Sequence, residues 1–287
     1  MFLIFFTRIN FNQLDFFYIF LYNNNININY YEVIINMQKK HSTNNQIWIY
    51  GKHSVINACL NPNREVSKIL VVKDVYNDLY DTLNKNSIAK SYKIEIVDKK
   101  HIESLIPVDS VHQGYLALVK PIDKVFIEDI INNINNKEKS TILILDQVSD
   151  PRNIGAIMRT AVAFDVDAIV TTKDHAPKET SSMVKAATGG IEILPWVDVV
   201  NLANTIKLLK DNGFWIVGMD ANTKENIDSL TFKKTAIIFG AEGKGLRELT
   251  RKSCDVLAKI PMNNKNMESL NISNAVAIAL FSLYKNN

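Results

Sequence analysis

The sequence predicts an α/β protein of two units, a small one followed by a larger one built on a mostly parallel sheet covered on both faces. Three observations lead there. In residues 141–287 strand-like and helix-like patterns alternate, as strand–helix–strand crossovers require. The run Ile142-Leu143-Ile144-Leu145 is apolar without alternation, which suits a strand buried on both sides. Composition shifts between Ile122 and Ser140, where Asn132-Asn133-Ile134-Asn135-Asn136-Lys137 interrupts the pattern, so the boundary falls inside that stretch.

In order, residues 1–45 read as an unstructured leader. Its first 36 residues are rich in Phe, Ile, Tyr and Asn, and its patches Phe2–Phe6 and Phe16–Tyr22 are far shorter than the roughly 20 apolar residues that span a bilayer. The basic start, continuous apolar stretch and small-residue cleavage site of a signal peptide are missing, which suggests a true start near Met37 and no membrane role. Residues 46–121 form the small unit. It holds helices at His53–Leu60, Asp74–Asn84 and Lys99–Leu105 and strands at Lys68–Val72, Lys93–Val97 and Gly114–Val119. Residues 122–140 read as a linker. Residues 141–287 carry strands at Thr141–Leu145, Asp167–Thr171, Ile191–Leu194, Phe214–Met219, Thr235–Phe239 and Val256–Ile260, with a last helix from Ser273 to Tyr284. Periodicity alone points to an open doubly wound sheet, because folded chains almost never thread their loops.

Composition bounds the function. The chain has 287 residues, 47% hydrophobic and 22% charged, which supports two modest cores and excludes a disordered chain. A net charge of +3 does not by itself announce a nucleic-acid binder. The two cysteines, Cys59 and Cys254, sit in no metal-ligand or disulfide pattern, which fits a reducing cytosol and no bound metal.

Three segments carry candidate chemistry. In Asp146–Gly155 a strand ends, Asp150 and Pro151 take the N-cap and N1 positions of a helix, and Ile154, Ile157, Met158, Ala161 and Val162 form its apolar stripe. Arg152 and Arg159 fall on another face beside Gly155 and Ala163, near the carboxyl end of a parallel sheet, where ligands bind. A merely solvated or interfacial arginine fits that spacing equally well. In Gly240-Ala241-Glu242-Gly243-Lys244-Gly245 three glycines follow a buried strand and permit close backbone approach, although a plain turn explains them almost as well. Glu242 would repel phosphates, which favours a ligand bearing positive charge or hydroxyls. In Ile260-Pro261-Met262 and Glu268-Ser269-Leu270-Asn271-Ile272-Ser273 a strand ends, and a polar loop caps the nearly all-apolar helix Val276–Tyr284. That helix is buried on several sides, either in a deep core or against a second subunit at an outward position such as Ala279.

Taken together, the segments resemble the three motifs of the SpoU/TrmH branch of the SPOUT RNA methyltransferases, in family order over residues 141–284. Asp150–Gly155 through Arg159-Thr160-Ala161 matches the first, Gly240–Gly245 the second, and Ile260–Met262 with Glu268–Ser273 the third. Tyr50-Gly51-Lys52-His53-Ser54-Val55 and His112-Gln113-Gly114 resemble the L30e-like RNA-binding domain that precedes the catalytic domain in one subgroup, which includes enzymes of large-subunit ribosomal RNA guanosines. The loop Asn263–Met267 departs from the family in place of a glycine-containing stretch. The resemblance implies a carboxyl-terminal trefoil knot, a cytoplasmic homodimer, an RNA substrate, and S-adenosylmethionine as cofactor. The activity it implies is methyl transfer to a ribose 2'-hydroxyl, of ribosomal RNA first and transfer RNA as the alternative. By the same resemblance Arg159 assists loss of the hydroxyl proton or orients a phosphate and stabilises the alkoxide. Asn153, Glu242 and Asn271 complete the polar shell, and Gly240, Gly245, Ile260, Met262, Ser269 and Leu270 hold the cofactor. The rival readings are a catalytically silent RNA-binding protein of the same fold and a nicotinamide enzyme, the latter opposed by the lack of a GxGxxG.

Overall fold

A computed structural model describes residues 45–263 and 269–286; the expected leader with its start at Met37, and most of the loop Asn263–Met267, lie outside them. From Gln46 onward the chain gathers around two sheets.

The front sheet has strands β1 (Ile47–Tyr50), β2 (Val66–Val71), β3 (Ile94–Ile96) and β4 (Tyr115–Val119) in the order β1-β4-β2-β3. β4 runs antiparallel to β1 and β2, and β2 runs parallel to β3. Side-chain alternation along a strand sorts the two faces. Ile69, Val71, Tyr115 and Ala117 face helices α1 (Lys52–Leu60) and α2 (Lys73–Lys85), whereas Leu70 and Leu116 meet Ile102 of α3 (Lys99–Ser104). β1 is an element the sequence did not suggest: Ile47-Trp48-Ile49-Tyr50 is apolar at every position and shows no period to read.

The second sheet is wholly parallel. Its strands β5 (Ser140–Leu145), β6 (Ala168–Thr172), β7 (Trp196–Val199), β8 (Trp215–Met219), β9 (Lys234–Phe239) and β10 (Val256–Ala258) stand in the order β10-β8-β9-β5-β6-β7. Cores lie on both faces, as the apolar runs predict. Leu143, Leu145, Ile237 and Phe239 point to one side, Ile142, Ile144, Ala236 and Ile238 to the other. The first face carries α5 (Pro151–Ala163), α6 (Ser181–Ala187) and α9 (Ile272–Asn286). The second carries α4 (Ile127–Ile134) and α7 (Leu202–Asp211), and α8 (Glu248–Ser253) packs against α7. Among the described residues no helix is long and apolar enough to cross a membrane.

Three expectations change. The strand expected at Ile191–Leu194 is a 3-10 turn, Gly190–Glu192, with the strand shifted to Trp196–Val199. Ile191 and Leu194 are both buried in one core three residues apart, which is the period of a 3-10 turn and not of a strand. The stretch 122–140, expected as a linker, carries α4, whose Ile127, Ile130, Ile131 and Ile134 pack on the large sheet. Its asparagines mark only the end of that helix. Ala279 is fully buried, so the outward side of α9 is instead Ile278, Phe281 and Tyr284.

The front sheet and the large sheet share one core. Its members run without a break from Val55 and Cys59 of α1 through Met183, Val184 and Ala187 of α6 to Leu143 of β5. Ser54 Oγ donates to the Val184 carbonyl at 3.3 Å across that seam.

Candidate active site

The order of the large sheet creates a natural crevice. From β5 the chain moves outward through β6 and β7, and β8, β9 and β10 fill the opposite side, so β5 and β9 are neighbours from different halves. Ligands bind at such switch points, outside the carboxyl ends of the strands. All three sequence segments leave their strands at that end.

After β5, Asp146 hydrogen-bonds through its N–H to the Phe239 carbonyl at 2.8 Å, and Gln147 adopts a left-handed φ of 66°, uncommon for a non-glycine residue. Asp150 then caps α5, its side chain accepting from the Arg152 N–H at 2.7 Å. After β9 the loop folds onto itself, with the Gly245 N–H bonded to the Ala241 carbonyl at 2.9 Å. A Cβ on Gly240 would stand 2.1 Å from the Gly245 carbonyl, so glycine is required there. After β10 the chain reaches Asn271, whose side chain accepts from Ser273 N–H at 2.9 Å and from Ser273 Oγ at 2.6 Å ahead of α9.

These loops bring three of the four predicted catalytic residues together. Asn153 Nδ2 donates to Glu242 Oε1 at 2.7 Å, and Asn271 Nδ2 donates to Asn153 Oδ1 at 3.1 Å. The result is a polar relay, Glu242–Asn153–Asn271–Ser273, across the crevice. Arg159 is not part of it. Two turns further along α5 it is exposed, and no hydrogen bond or ion pair reaches its side chain among the described residues. Gly155 is not open surface beside it: the glycine is buried where a Cβ would meet the Met183 carbonyl of α6 at 2.3 Å.

The predicted cofactor residues divide. Ile260, Met262 and Leu270 line a cleft of about 430 Å³ together with Ile227, Pro261 and Ile278, and Asp228 and Ser282 add polar edges. Gly240 and Gly245 build the neighbouring loop and do not line the cleft, and Ser269 is exposed beside it. A mostly apolar wall with a carboxylate at its edge fits a ligand that joins a flat heterocycle to hydroxyls and a positive centre, which is the chemistry of S-adenosylmethionine.

Two features escaped the sequence. Asp146, fully buried, pairs with Arg247 through Nε at 3.0 Å and Nη2 at 2.8 Å and accepts from Thr250 Oγ1 at 2.8 Å, tying the end of β5 to the start of α8. A lone Asp after a buried strand was its signal. A second, wider cleft of about 860 Å³ opens on the front sheet, lined by Lys73, Asp74, Asp98, Lys99 and His112. His112 Nδ1 accepts from the Gly114 N–H at 3.1 Å, and burial holds its pKa below the usual histidine value. Neither cysteine offers a thiolate: burial, with the charge of Glu192, pushes Cys59 up to about 12, and burial pushes Cys254 up to about 11. Among the described residues no group of three or more His, Cys, Asp or Glu is placed to hold a metal ion.

Comparison with known proteins gives a consistent picture. The SpoU rRNA methylase family matches residues 140–281, and the domain described as RNA 2'-O ribose methyltransferase substrate binding matches residues 48–125. A Staphylococcus aureus protein assigned to the TrmH family of tRNA/rRNA methyltransferases is 34% identical over 239 residues, covering 83% of this chain and 95% of its own. Its Staphylococcus saprophyticus counterpart is 35% identical over 246 residues, 84% of this chain and 96% of its own. Among solved structures, an AdoMet-bound rRNA methyltransferase from Sinorhizobium meliloti superposes with a TM-score of 0.68 at 21% identity, covering 85% of this chain and 89% of that one. The SpoU methyltransferase AviRb from Streptomyces viridochromogenes with AdoMet gives 0.67 at 20% identity, over 86% and 92%. At these identities the two structures speak for the fold.

Proposed function

The chain belongs to the SpoU/TrmH family of RNA methyltransferases, and from that premise we propose that it transfers a methyl group from S-adenosylmethionine to a ribose 2'-hydroxyl of RNA. The observation that carries this reading is the meeting of Asn153, Glu242 and Asn271 at the switch point beside an apolar cleft. When bound, the cofactor supplies an electrophilic methyl group, so the protein needs only to position the hydroxyl and to accept its proton. Ile260, Met262 and Leu270 would hold the cofactor's apolar parts, and the loop Gly240–Gly245 would approach it with backbone. The relay fixes the rotamers of Asn153 and Glu242 before any ligand arrives. A guanidinium offers donors and no acceptor, which makes Arg159 a poor base. Its planar fork suits a second role, holding an RNA phosphate and stabilising the alkoxide that forms as the proton leaves. Its exposure fits a group that waits for RNA.

Large-subunit ribosomal RNA is the proposed substrate, with a guanosine as the target and transfer RNA as the alternative. The match to an RNA ribose methyltransferase substrate-binding domain supports an RNA substrate, and the resemblance of the front unit to the L30e-like subgroup favours the ribosomal one. The same reading gives residues 46–121 as the L30e-like RNA-binding unit, residues 141–287 as the methyltransferase unit with a carboxyl-terminal trefoil knot, and a cytoplasmic homodimer. For the dimer the support is an exposed apolar face. Ile278, Phe281 and Tyr284 of α9 are 40%, 53% and 60% exposed, and the ring of Phe164 packs against the last two at 6.1 and 5.8 Å. Such a face on a helix end calls for a partner surface. Incubating the protein with labelled S-adenosylmethionine and unmodified ribosomal or transfer RNA transcripts, then digesting the RNA for mass spectrometry, tests the reading. A 2'-O-methylguanosine from ribosomal RNA is expected. A methyl on a base, or binding of RNA without transfer, would refute it.

A further inference from the structure

We infer that Arg64, in the front unit and remote in sequence from the three motifs of the large-sheet unit, is a positioning residue for Arg159. The inference rests on the role given to Arg159 above. Arg64 lies just before β2, and its side chain is fully buried. Its guanidinium pairs with both carboxylate oxygens of Glu179, with Nη1 to Oε2 at 3.1 Å and Nη2 to Oε1 as the closer contact. Its Nε faces Glu192 Oε1 at 3.4 Å. Both carboxylates belong to the large-sheet unit and are 2% exposed. Glu179 also accepts from the Ile122 N–H at 2.7 Å, which pins the chain where it leaves the front unit.

Glu192 closes the 3-10 turn Gly190–Glu192, and that turn is the link to the site. A Cβ at Gly190 would stand 3.1 Å from the Cα and N of Arg159 and from the Met158 carbonyl. The turn therefore seats directly on the α5 backbone that carries Arg159, so closely that a Cβ there would push one of them aside by a few tenths of an ångström. The front unit grips this turn at three points. Arg64 faces the Glu192 carboxylate, Asn61 Nδ2 donates to Glu192 Oε2 at 2.9 Å and to its carbonyl at 3.3 Å, and Asn57 lies against Gly189.

A single arginine thus faces two buried carboxylates from the other unit. Such an arrangement holds one geometry, because a guanidinium offers its donors in a fixed plane and any slip leaves a buried charge unpaired. Burial raises the pKa of Glu192 above the usual carboxylate value, with Arg64 acting in the opposite sense. The front unit, which would receive the RNA, is in this way coupled mechanically to the backbone of the arginine that would act on it.

A double-variant cycle on the full chain tests the inference: wild type, Arg64→Lys, Arg159→Ala and the double variant. For each, thermal unfolding, S-adenosylmethionine affinity by calorimetry, and kcat and KM on the RNA transcript that the wild type methylates are measured. Arg64→Lys keeps the charge and loses the fork. It is expected to lower kcat about tenfold, well within the loss that a misplacement near 1 Å produces, with cofactor affinity and RNA KM changed less than threefold. In the Arg159→Ala background the same change should have less than a twofold effect, because the group that Arg64 positions is gone. Should Arg64→Lys fail to fold, the isosteric Glu192→Gln takes its place in the same cycle, with the same non-additivity expected. Multiplying effects in the double variant, or a rise in KM with kcat intact, would overturn the inference. Full turnover by Arg159→Ala alone would instead remove the reading on which it rests.

Discussion

Two polar clusters join distant parts of this chain, and they are built in opposite ways. The relay Glu242–Asn153–Asn271–Ser273 lies at the surface and contains one charge and two amides. The cluster Arg64–Glu179–Glu192 is sealed from water and contains three ionisable groups. Water can replace any lost partner in the first and none in the second. The relay should therefore matter for chemistry and little for stability. The sealed cluster should matter for stability, and for chemistry only through the backbone it holds.

The largest expected effect lies on the exposed side. Arg159→Ala should lower methyl transfer about 10²–10⁴-fold and move unfolding free energy by no more than about 0.5 kcal/mol. Arg159→Lys should not restore turnover, since a point charge lacks the planar fork. A loss of activity matched by a loss of fold would erase the contrast. On the sealed side Glu179→Ala removes one partner of a buried pair, and urea unfolding should show a loss of about 3–5 kcal/mol. A loss below about 1 kcal/mol would mean that the cluster behaves as a surface pair.

Smaller in free energy is Phe281→Glu on the outward face of α9. It should turn a dimer into a monomer in sedimentation and abolish transfer, while the monomer's stability changes by about 0.5 kcal/mol or less. An active monomer would refute the dimer. The smallest effect belongs to Lys124, beside the sealed cluster. Burial lowers its pKa from 10.5 to about 7, against the pull of Asp198 and Glu179, and its Nζ lacks a hydrogen-bond partner among the described residues. Between pH 7 and 10.5 the unfolded chain then binds the extra proton, so this group makes stability rise with pH. From pH 7 to 8 the gain should be about 1 kcal/mol at most, measured as the difference between wild type and Lys124→Met. No difference in slope between the two over that range would place a charged Lys124 in the fold.

What could be read in the sequence follows the same division. Local periods gave the stripe Ile154, Ile157, Met158 and Ala161 of α5 and the two-faced burial of β5, because each depends only on near neighbours. Ile191-Glu192-Ile193-Leu194 misled, since a short, largely apolar run reads as a strand until burial shows Ile191 and Leu194 on one side and Ile193 exposed. Ala279 misled for a related reason: a helix apolar on all sides offers no pattern that says which side faces out. Asn153, Glu242 and Asn271 were placed together only through the family resemblance. No spacing rule connects residues 89 and 118 positions apart. Arg64 and Glu179, 115 positions apart, matched no motif and stayed invisible.

The distance between Asn153 and Asn271 has a consequence in time. Those 118 positions separate the first member of the relay from the third. At about 5–20 residues per second a ribosome needs some 6–24 s to synthesise that interval. Glu242 follows Asn153 only after 89 positions, and until the rest of the interval is made the relay lacks its last amide and the cleft lacks Leu270 and Ile278. A nascent chain of this protein, however well its sheet has formed, therefore cannot hold cofactor and RNA as the finished one would. The relay and the cleft are complete only once α9 has docked.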